Sequence, residues 1–587
     1  MTESRHKVGG LPPTGAPESV SIALVGSGGA GVMTAGNVLL EAAALAGYYA
    51  LMTRSSGPQI RGGEAAAMVR ISVRQVECMD ESFQILAGVD WENVHRFAAE
   101  IPLAAGGLIV GDVDRGAAPE VFAESGARCL SLPLAKLAKD VPGGRANMVL
   151  LGFVAALLGL PEEALRRAVE SLLGKRPAAV EASLLAMAAG RAAASAGTSR
   201  GTLIAAPVEA PGPRWLITGN EAAGLGALRA GVRFVAAYPI TPATEMLEWL
   251  SPALARVGGV LVQAEDELAS INMVIGSSFG GVSALTATSG PGLALMMESL
   301  GLAVAAEMPL VVVDVMRVGP STGIPTKSEQ GDLNIALHGL HGDAPHLVLA
   351  PNSVGDCLAT THWAVGLAES LQAPAIVLSD QFLGQARATI DRPGEPGPTA
   401  KRSLANTAVE DYRRYAVTPS GVSPMAVPGT PGGAYTADGL EHGERGTPSS
   451  QAADHVEQLG KRRRKLELHD YGGRWADIEG AGALVIVTFG STTGPVREAL
   501  RRLDDAASGM KLLSLRLLAP LQCDRLAEAL AGARKLLVIE QNESGQLFHY
   551  LRGSLALPKR TTSLRKPGGQ QFNPGEIGKQ LLAWSQS

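Results

Sequence analysis

Cysteine is scarce in this chain and its placement is scattered. Cys78, Cys129, Cys357 and Cys523 are the only four in 587 residues, and no two are close enough to form a metal-ligand or iron-sulfur motif. They read as buried thiols of a protein kept in a reducing, cytoplasmic setting. Aromatic residues are also few, at 4%, whereas glycine reaches 71, a balance suited to helices packed closely on parallel sheets. No excess of positive charge is present: 51 Lys and Arg face 56 Asp and Glu, for a net charge of −5, so there is no basic footprint for nucleic acid. Long apolar runs are missing as well. The longest, residues 148–160, includes two glycines and is too short to span a bilayer, and residues 1–18 contain no apolar signal core. Nucleic acid and membrane are thereby set aside, which leaves small molecules and other proteins as partners.

A chain this long cannot be served by one core and is expected to divide into three or four domains. Residues 1–18 read as a disordered or extended N-terminus, and 19–190 as a first α/β unit that opens with a strand, a glycine-rich turn and a helix. An Ala/Gly/Ser/Thr-rich and then Pro-containing stretch, 191–214, reads as a linker. From 215 to 392, short apolar strands alternate with helices, the signature of a doubly wound parallel sheet. Residues 393–475 are irregular and Pro-rich; a connection of this length is expected to drape over the active site, with its basic run 461–465 forming a solvated face. The alternation resumes from 476 to 587. The expected fold class is therefore α/β, with three doubly wound domains.

Right-handed crossovers place every loop that follows a parallel strand on one rim of its sheet, and ligands bind there. Four such loops in the second unit carry chemistry. Tyr238-Pro239-Ile240-Thr241-Pro242 is a Pro-bracketed loop with one hydroxyl. Glu265-Asp266-Glu267 ends a strand and opens a helix; charge compensation at the helix N-terminus accounts for one or two of these acids, and a catalytic role for one stands equally. Thr286-Ala287-Thr288-Ser289-Gly290-Pro291-Gly292 offers hydroxyls and unpaired backbone amides. Arg317, heading Val318-Gly319-Pro320-Ser321-Thr322-Gly323, reads either as a clamp for a carboxylate or as a plain surface arginine.

The first unit holds two glycine loops. Gly26-Ser27-Gly28-Gly29-Ala30-Gly31 lies between a strand and a helix, and three readings stand for it: a tight structural turn, a phosphate or coenzyme A contact, or a dinucleotide site lacking its usual acidic partner. Arg61-Gly62-Gly63 offers a cation and further backbone amides.

Taken together, YPITP, the EDE that starts a helix, TATSGPG and RVGPSTGIPTKSEQGDL resemble the α subunit of the 2-oxoacid:ferredoxin oxidoreductases. The resemblance spans nearly the whole chain and is nearest to the 2-oxoglutarate type with a γ domain fused at its N-terminus. It implies a γ domain at 19–190, a pyrimidine-binding domain at 215–392 and a transketolase C-terminal-like domain at 476–587. It also implies a thiamine diphosphate enzyme that turns a 2-oxoacid and CoA into an acyl-CoA, CO2 and reduced ferredoxin. By this resemblance Glu267 would hydrogen-bond the aminopyrimidine, with Tyr238, Pro239, Ile240, Ser289 and Gly290 lining the cofactor. Thr241 and Arg317 would hold the substrate, with His442 either facing it or serving as a structural histidine. CoA would use Gly26, Gly28, Gly29, Gly31, Arg61, Gly62 and Gly63.

No Gly-Asp-Gly…Asn segment for Mg2+ and diphosphate occurs in this chain, nor any cluster-ligating cysteine run. The resemblance therefore implies a separate β subunit carrying the diphosphate/Mg2+ site and a [4Fe-4S] cluster, in an (αβ)2 assembly, with no metal held by this chain. Met425 stands where the subfamily often has Arg, and Gly443 interrupts a segment that often reads EHDE. Pyruvate, branched-chain 2-oxoacids and indolepyruvate are alternative substrates, and a non-catalytic nucleotide-binding or scaffold subunit is the rival from another class.

Overall fold

The computed structural model describes residues 16–56, 65–197, 203–207, 212–395, 397–405 and 410–587. The chain forms two compact units, one of Met1–Met52, Arg61–Val76 and Ser82–Arg214, the other of Thr53–Ile60, Glu77–Glu81 and Trp215–Ser587. The architecture is mixed α/β with three sheets.

In the first unit the strands are β1 (Ser19–Gly26), β2 (Tyr49–Ser56), β3 (Ala65–Ser72), β4 (Phe83–Gly88), β5 (Leu103–Asp112) and β6 (Arg128–Leu132), in the spatial order β6-β5-β4-β1-β3-β2. β1, β4, β5 and β6 run parallel, but β3 pairs antiparallel with β1, Ser19 opposite Ser72 and Gly26 opposite Ala65. β1 is buried along nearly its whole length, as a strand covered on both faces must be. The helix Pro177–Gly197 extends into the expected linker, because its alanines keep helix propensity high.

The second unit contains β7 (Arg214–Thr218), β8 (Phe234–Ala237), β9 (Val260–Gln263), β10 (Ala284–Thr288), β11 (Leu310–Met316), β12 (Leu347–Leu349), β13 (Pro374–Asp380) and β14 (Arg387–Asp391). Its C-terminal part adds β15 (Ala476–Gly480), β16 (Leu484–Phe489), β17 (Met510–Leu515), β18 (Leu517–Ala519), β19 (Lys535–Glu540) and β20 (Arg560–Arg565). A seven-stranded sheet has the order β18-β12-β13-β11-β10-β8-β9, and a five-stranded sheet the order β15-β17-β16-β19-β20. β18 joins the seven-stranded sheet antiparallel to β12, so the C-terminal segment completes the edge of its neighbour's sheet. The small sheet packs its own core, including Ile486, Val496, Leu512, Ile539 and Leu581.

Two sequence expectations are corrected. Cys78 and Cys357 are buried, whereas Cys129, on the edge strand β6, and Cys523, at the start of the helix Cys523–Ala529, are exposed. The connection 393–475 contains the helix Ala452–Glu467, and most of the basic run on it is not a solvated face: Lys461, Arg462 and Lys465 are buried, while Arg463 is exposed. Lys461 and Lys465 both reach Glu307, at 2.5 and 3.0 Å, and Arg414 lies beneath them, donating to the Glu307 backbone carbonyl. This segment covers the loops that precede the strands. Arg402 donates to Ser278 O ahead of β10, and Lys465 to Gln372 O ahead of β13. It thus lies on the rim opposite the candidate site, because the free carbonyls of helix C-termini are there and attract its cations.

Candidate active site

β9, β8, β10 and β11 are neighbours and parallel, so the loops that follow them gather on one rim. After β8, the segment 238–242 leaves Tyr238 partly exposed and leads into the helix Thr244–Ala255. Asn220 fixes the far end of this loop, its amide donating to Pro242 O at 2.9 Å. Glu245, in the first turn of the helix, accepts from Arg54 and from Gln385. Burial raises the Glu245 pKa against the pull of Arg54.

The three acids after β9 divide their work. Asp266 is the N-cap of the helix Glu267–Phe279 and accepts from Ala269 N at 2.6 Å, which answers the helix's need for an acceptor. Glu265 is exposed. Glu267 is only 7% exposed and its carboxylate has no hydrogen bond among the described residues. It lies instead against the first turn of the helix Gly290–Ala305. A Cβ on Gly292 would stand 2.6 Å from Glu267 Oε1 and would also strike Thr288 Oγ1. A buried acceptor with capping already satisfied by its neighbour is available for a ligand.

Arg317 follows β11, is 6% exposed, and donates through Nη1 to Thr241 O at 2.6 Å. That bond brings together two of the residues expected at the substrate. Burial lowers the Arg317 pKa while Asp332 and Asp314 pull it up. Its Nε has no partner, and neither has Ser289 Oγ, although both atoms are buried. Ser289 caps the helix Gly290–Ala305 by position without a side-chain bond.

Asp314 and Asp332 were not singled out in the sequence, yet they lie in the same place. Asp314 is a fully buried acid inside the apolar strand Leu310–Met316, and that interruption was a usable signal. Asp332 precedes the helix Leu333–His338; a Cβ on Gly290 would meet its Oδ2 at 2.6 Å. Burial, then the charge of its neighbour, holds Asp314 well above the usual carboxylate range, and burial lifts Asp332 to about 6.

Of the connection, His442 and Met425 are not brought to this rim. His442 is buried, stacks on Tyr415 with ring centroids 3.8 Å apart, and has its ring nitrogens 3.1 Å from the carbonyls of Gly443 and Ala305. Ala305 ends the helix whose start faces Glu267, so within this chain His442 sits about 20 Å away along that helix, at 1.5 Å per residue. Met425 is also buried there, with Arg402 against its sulfur at 3.8 Å.

In the first unit the loop 26–31 is tied down by Asp90, which accepts from Ser27 N at 2.9 Å and from Ser27 Oγ at 2.8 Å. Gly31 has φ +84° at the start of the helix Val32–Leu45, and a Cβ there would run into the Asn147 side chain, which itself donates to Gly31 O. A cavity of about 310 Å³ beside Ser27 is lined by Asp90, Asp112, Arg115 and Arg145. Arg61, Gly62 and Gly63 lie outside the described residues.

Comparison with known proteins decides the family. Residues 225–461 match the family described as pyruvate flavodoxin/ferredoxin oxidoreductase, thiamine diP-bdg, and residues 21–193 match pyruvate ferredoxin/flavodoxin oxidoreductase. The α subunit of 2-oxoacid:ferredoxin oxidoreductase 2 from Aeropyrum pernix is 31% identical over 633 aligned residues, covering 95% of this chain and 96% of that protein. The chain belongs to the 2-oxoacid:ferredoxin oxidoreductases. The 2-oxoglutarate oxidoreductase subunit KorA of Mycobacterium tuberculosis is 35% identical, covering 75% of this chain and 68% of that one. The solved 2-oxoglutarate:ferredoxin oxidoreductase from Magnetococcus marinus, with 2-oxoglutarate, coenzyme A and succinyl-CoA bound, is 36% identical with a TM-score of 0.89, covering 97% of this chain and 99% of that one. As a family member, the chain is an oxidoreductase subunit with a thiamine diphosphate-binding domain, and its acceptor class is ferredoxin. Among the described residues no helix is long and apolar enough to cross a membrane.

Proposed function

We propose that this chain is the γ/α subunit of an enzyme that converts 2-oxoglutarate, CoA and oxidised ferredoxin reversibly into succinyl-CoA, CO2 and reduced ferredoxin. The observation that carries the reading is the pairing of two features on one rim: a buried, unbonded Glu267 carboxylate and an Arg317 held to the Thr241 loop. The similarity to 2-oxoglutarate enzymes over most of the chain supports the choice of substrate.

The residues present fit thiamine diphosphate. Glu267 is the only buried acid of the 265–267 segment, and Gly292 leaves open the space beside it. When bound, the cofactor supplies the nucleophilic carbon and the electron sink for loss of CO2. Glu267 would hold the aminopyrimidine ring by a hydrogen bond at N1′, and a carboxylate there would favour the tautomer whose exocyclic nitrogen can serve as a base. Tyr238, Pro239 and Ile240 wall the ring, and Ser289 and Gly290 face it from the next loop. Arg317 pairs with the substrate carboxylate through its planar fork, and Thr241 donates its hydroxyl to the 2-oxo oxygen.

A β subunit completes the site with Mg2+, the diphosphate contacts and a [4Fe-4S] cluster that passes electrons to ferredoxin, in an (αβ)2 complex. CoA approaches the first unit near Gly26, Gly28, Gly29 and Gly31, with the Arg61-Gly62-Gly63 loop as a second contact; Arg115 and Arg145 supply positive charge beside the first loop.

The test is CoA-dependent reduction of ferredoxin or a viologen by this chain co-expressed with its candidate β subunit, across a panel of 2-oxoacids and with each chain alone as control. Turnover of 2-oxoglutarate by the pair alone is expected. Preference for pyruvate, a branched-chain 2-oxoacid or indolepyruvate would reassign the substrate, and no turnover of any 2-oxoacid would favour a scaffold role.

A further inference from the structure

A group of buried polar atoms at the ends of β10 and β11 has no hydrogen bonds: Ser289 Oγ, both carboxylate oxygens of Asp314, Oδ2 of Asp332 and Nε of Arg317. Asp314 is fully buried and stands in register with Thr288, which places it beside the 289–290 turn. Asp332 reaches over the same turn, its two oxygens 2.6 and 2.7 Å from where a Gly290 Cβ would be. Two neighbouring buried carboxyls with no donor cannot both carry charge; one proton held between them satisfies the pair and leaves a single negative charge. Those carboxylate oxygens and Arg317 Nε lack hydrogen-bond partners, so the charge of the pair acts on Arg317 through space.

We propose that Asp314 and Asp332 share one proton and are positioning residues for the substrate, supplying the one negative charge that offsets Arg317 and limits how tightly it holds the 2-oxoacid carboxylate. This inference rests on the reading of Arg317 as the carboxylate anchor.

The chemistry gives the offset a purpose. The carboxylate that Arg317 holds leaves as CO2: the bond between C1 and C2 breaks, its electron pair stays with the C2 side, and the carboxylate's charge disperses as the neutral gas forms. An uncompensated buried cation stabilises the ground-state carboxylate more than the transition state, so it tightens binding and slows the step. A fixed counter-charge reverses that balance.

The test is the double variant Asp314→Asn/Asp332→Asn, isosteric and without the charge, in the complete complex. The KM for 2-oxoglutarate is expected to fall about 5- to 10-fold and kcat to fall at least as far, the signature of over-stabilised ground-state binding. The KM for CoA should not move. A 2-oxoglutarate KM that rises or stays would overturn the proposal, since a packing defect moves it in that way.

Should the double variant fail to assemble, Asp332→Ala and Asp332→Asn decide between them. Alanine leaves Asp314 buried without a donor, so it takes a proton and the charge is lost, and KM falls. Asparagine donates to Asp314, which keeps its charge, and KM moves less. Equal effects would refute the shared-proton arrangement. Arg317→Ala separates the two levels: if it leaves the 2-oxoacid KM unchanged, the anchor reading itself fails; if it raises KM while the aspartate variants do not lower it, only this inference fails.

Discussion

Gly292 gives its side-chain space to Glu267: a Cβ at that position would stand 2.6 Å from the carboxylate oxygen and would also collide with Thr288. Both neighbours are held by the helices and strand that carry them, so neither can yield without moving the site. Gly292→Ala is therefore expected to cut turnover about tenfold or more, the equivalent of ~1.4 kcal/mol in the barrier, while the complex still assembles. Steady-state assays at saturating and limiting thiamine diphosphate read it, and wild-type kinetics from the alanine variant would mean that Glu267 does not work from this position.

Glu267→Gln keeps the size and removes the charge. With Asp266 still capping the helix, stability should change little, and turnover should fall by about 10² or more, the range for losing an acid-base partner. Melting temperature and kcat measured together separate the two effects; near-normal turnover would remove Glu267 from its proposed role.

Arg317→Ala removes the fork and also its bond to Thr241 O. A charge-assisted hydrogen bond is worth ~1.5–3 kcal/mol, so the KM for the 2-oxoacid should rise roughly 10- to 100-fold while that for CoA stays put. Arg317→Lys should recover only part, because a point charge lacks the planar two-donor geometry. An unchanged 2-oxoacid KM places the carboxylate elsewhere.

The strand alternation of 215–392 was legible because buried parallel strands read as short apolar runs, and the rim followed from the handedness of crossovers. The residue pattern by itself could not show which of Glu265, Asp266 and Glu267 was spare, and only the resemblance singled out Glu267, since the answer depends on which one caps the helix; Asp266 does. Asp314 was hidden by treating Leu310–Met316 as merely apolar, although an acid in such a strand must find a partner in space. The basic run was misread because five consecutive cations look solvated in one dimension. On a helix, Lys461 and Lys465 share one face and meet Glu307, which lies over 150 residues earlier in the chain. For His442 the sequence left two readings, and within this chain its bonds to the carbonyls of Gly443 and Ala305 favour the structural one, because a motif in an irregular connection does not reveal which rim that connection covers.

Glu307 makes the buried cluster under that connection testable. Burial works against its ionisation, yet Lys465, Lys461 and Arg414 hold its carboxyl well below the usual range. A carboxyl depressed in the folded state adds stability that is present above its unfolded value, about 4.3, and is lost as pH falls through the folded one. Glu307→Gln leaves the lysines and Arg414 buried without their counter-ion and should cost about 3–5 kcal/mol, detached first at the 393–475 segment. Urea unfolding at neutral pH and at successively lower pH is the measurement. The gap between wild type and variant should be widest at neutral pH and narrow below about pH 4.3 as Glu307 of the unfolded chain begins to take up its proton while the folded one stays ionised. A gap that does not change with pH would mean that Glu307 stabilises the fold by packing and not by its charge.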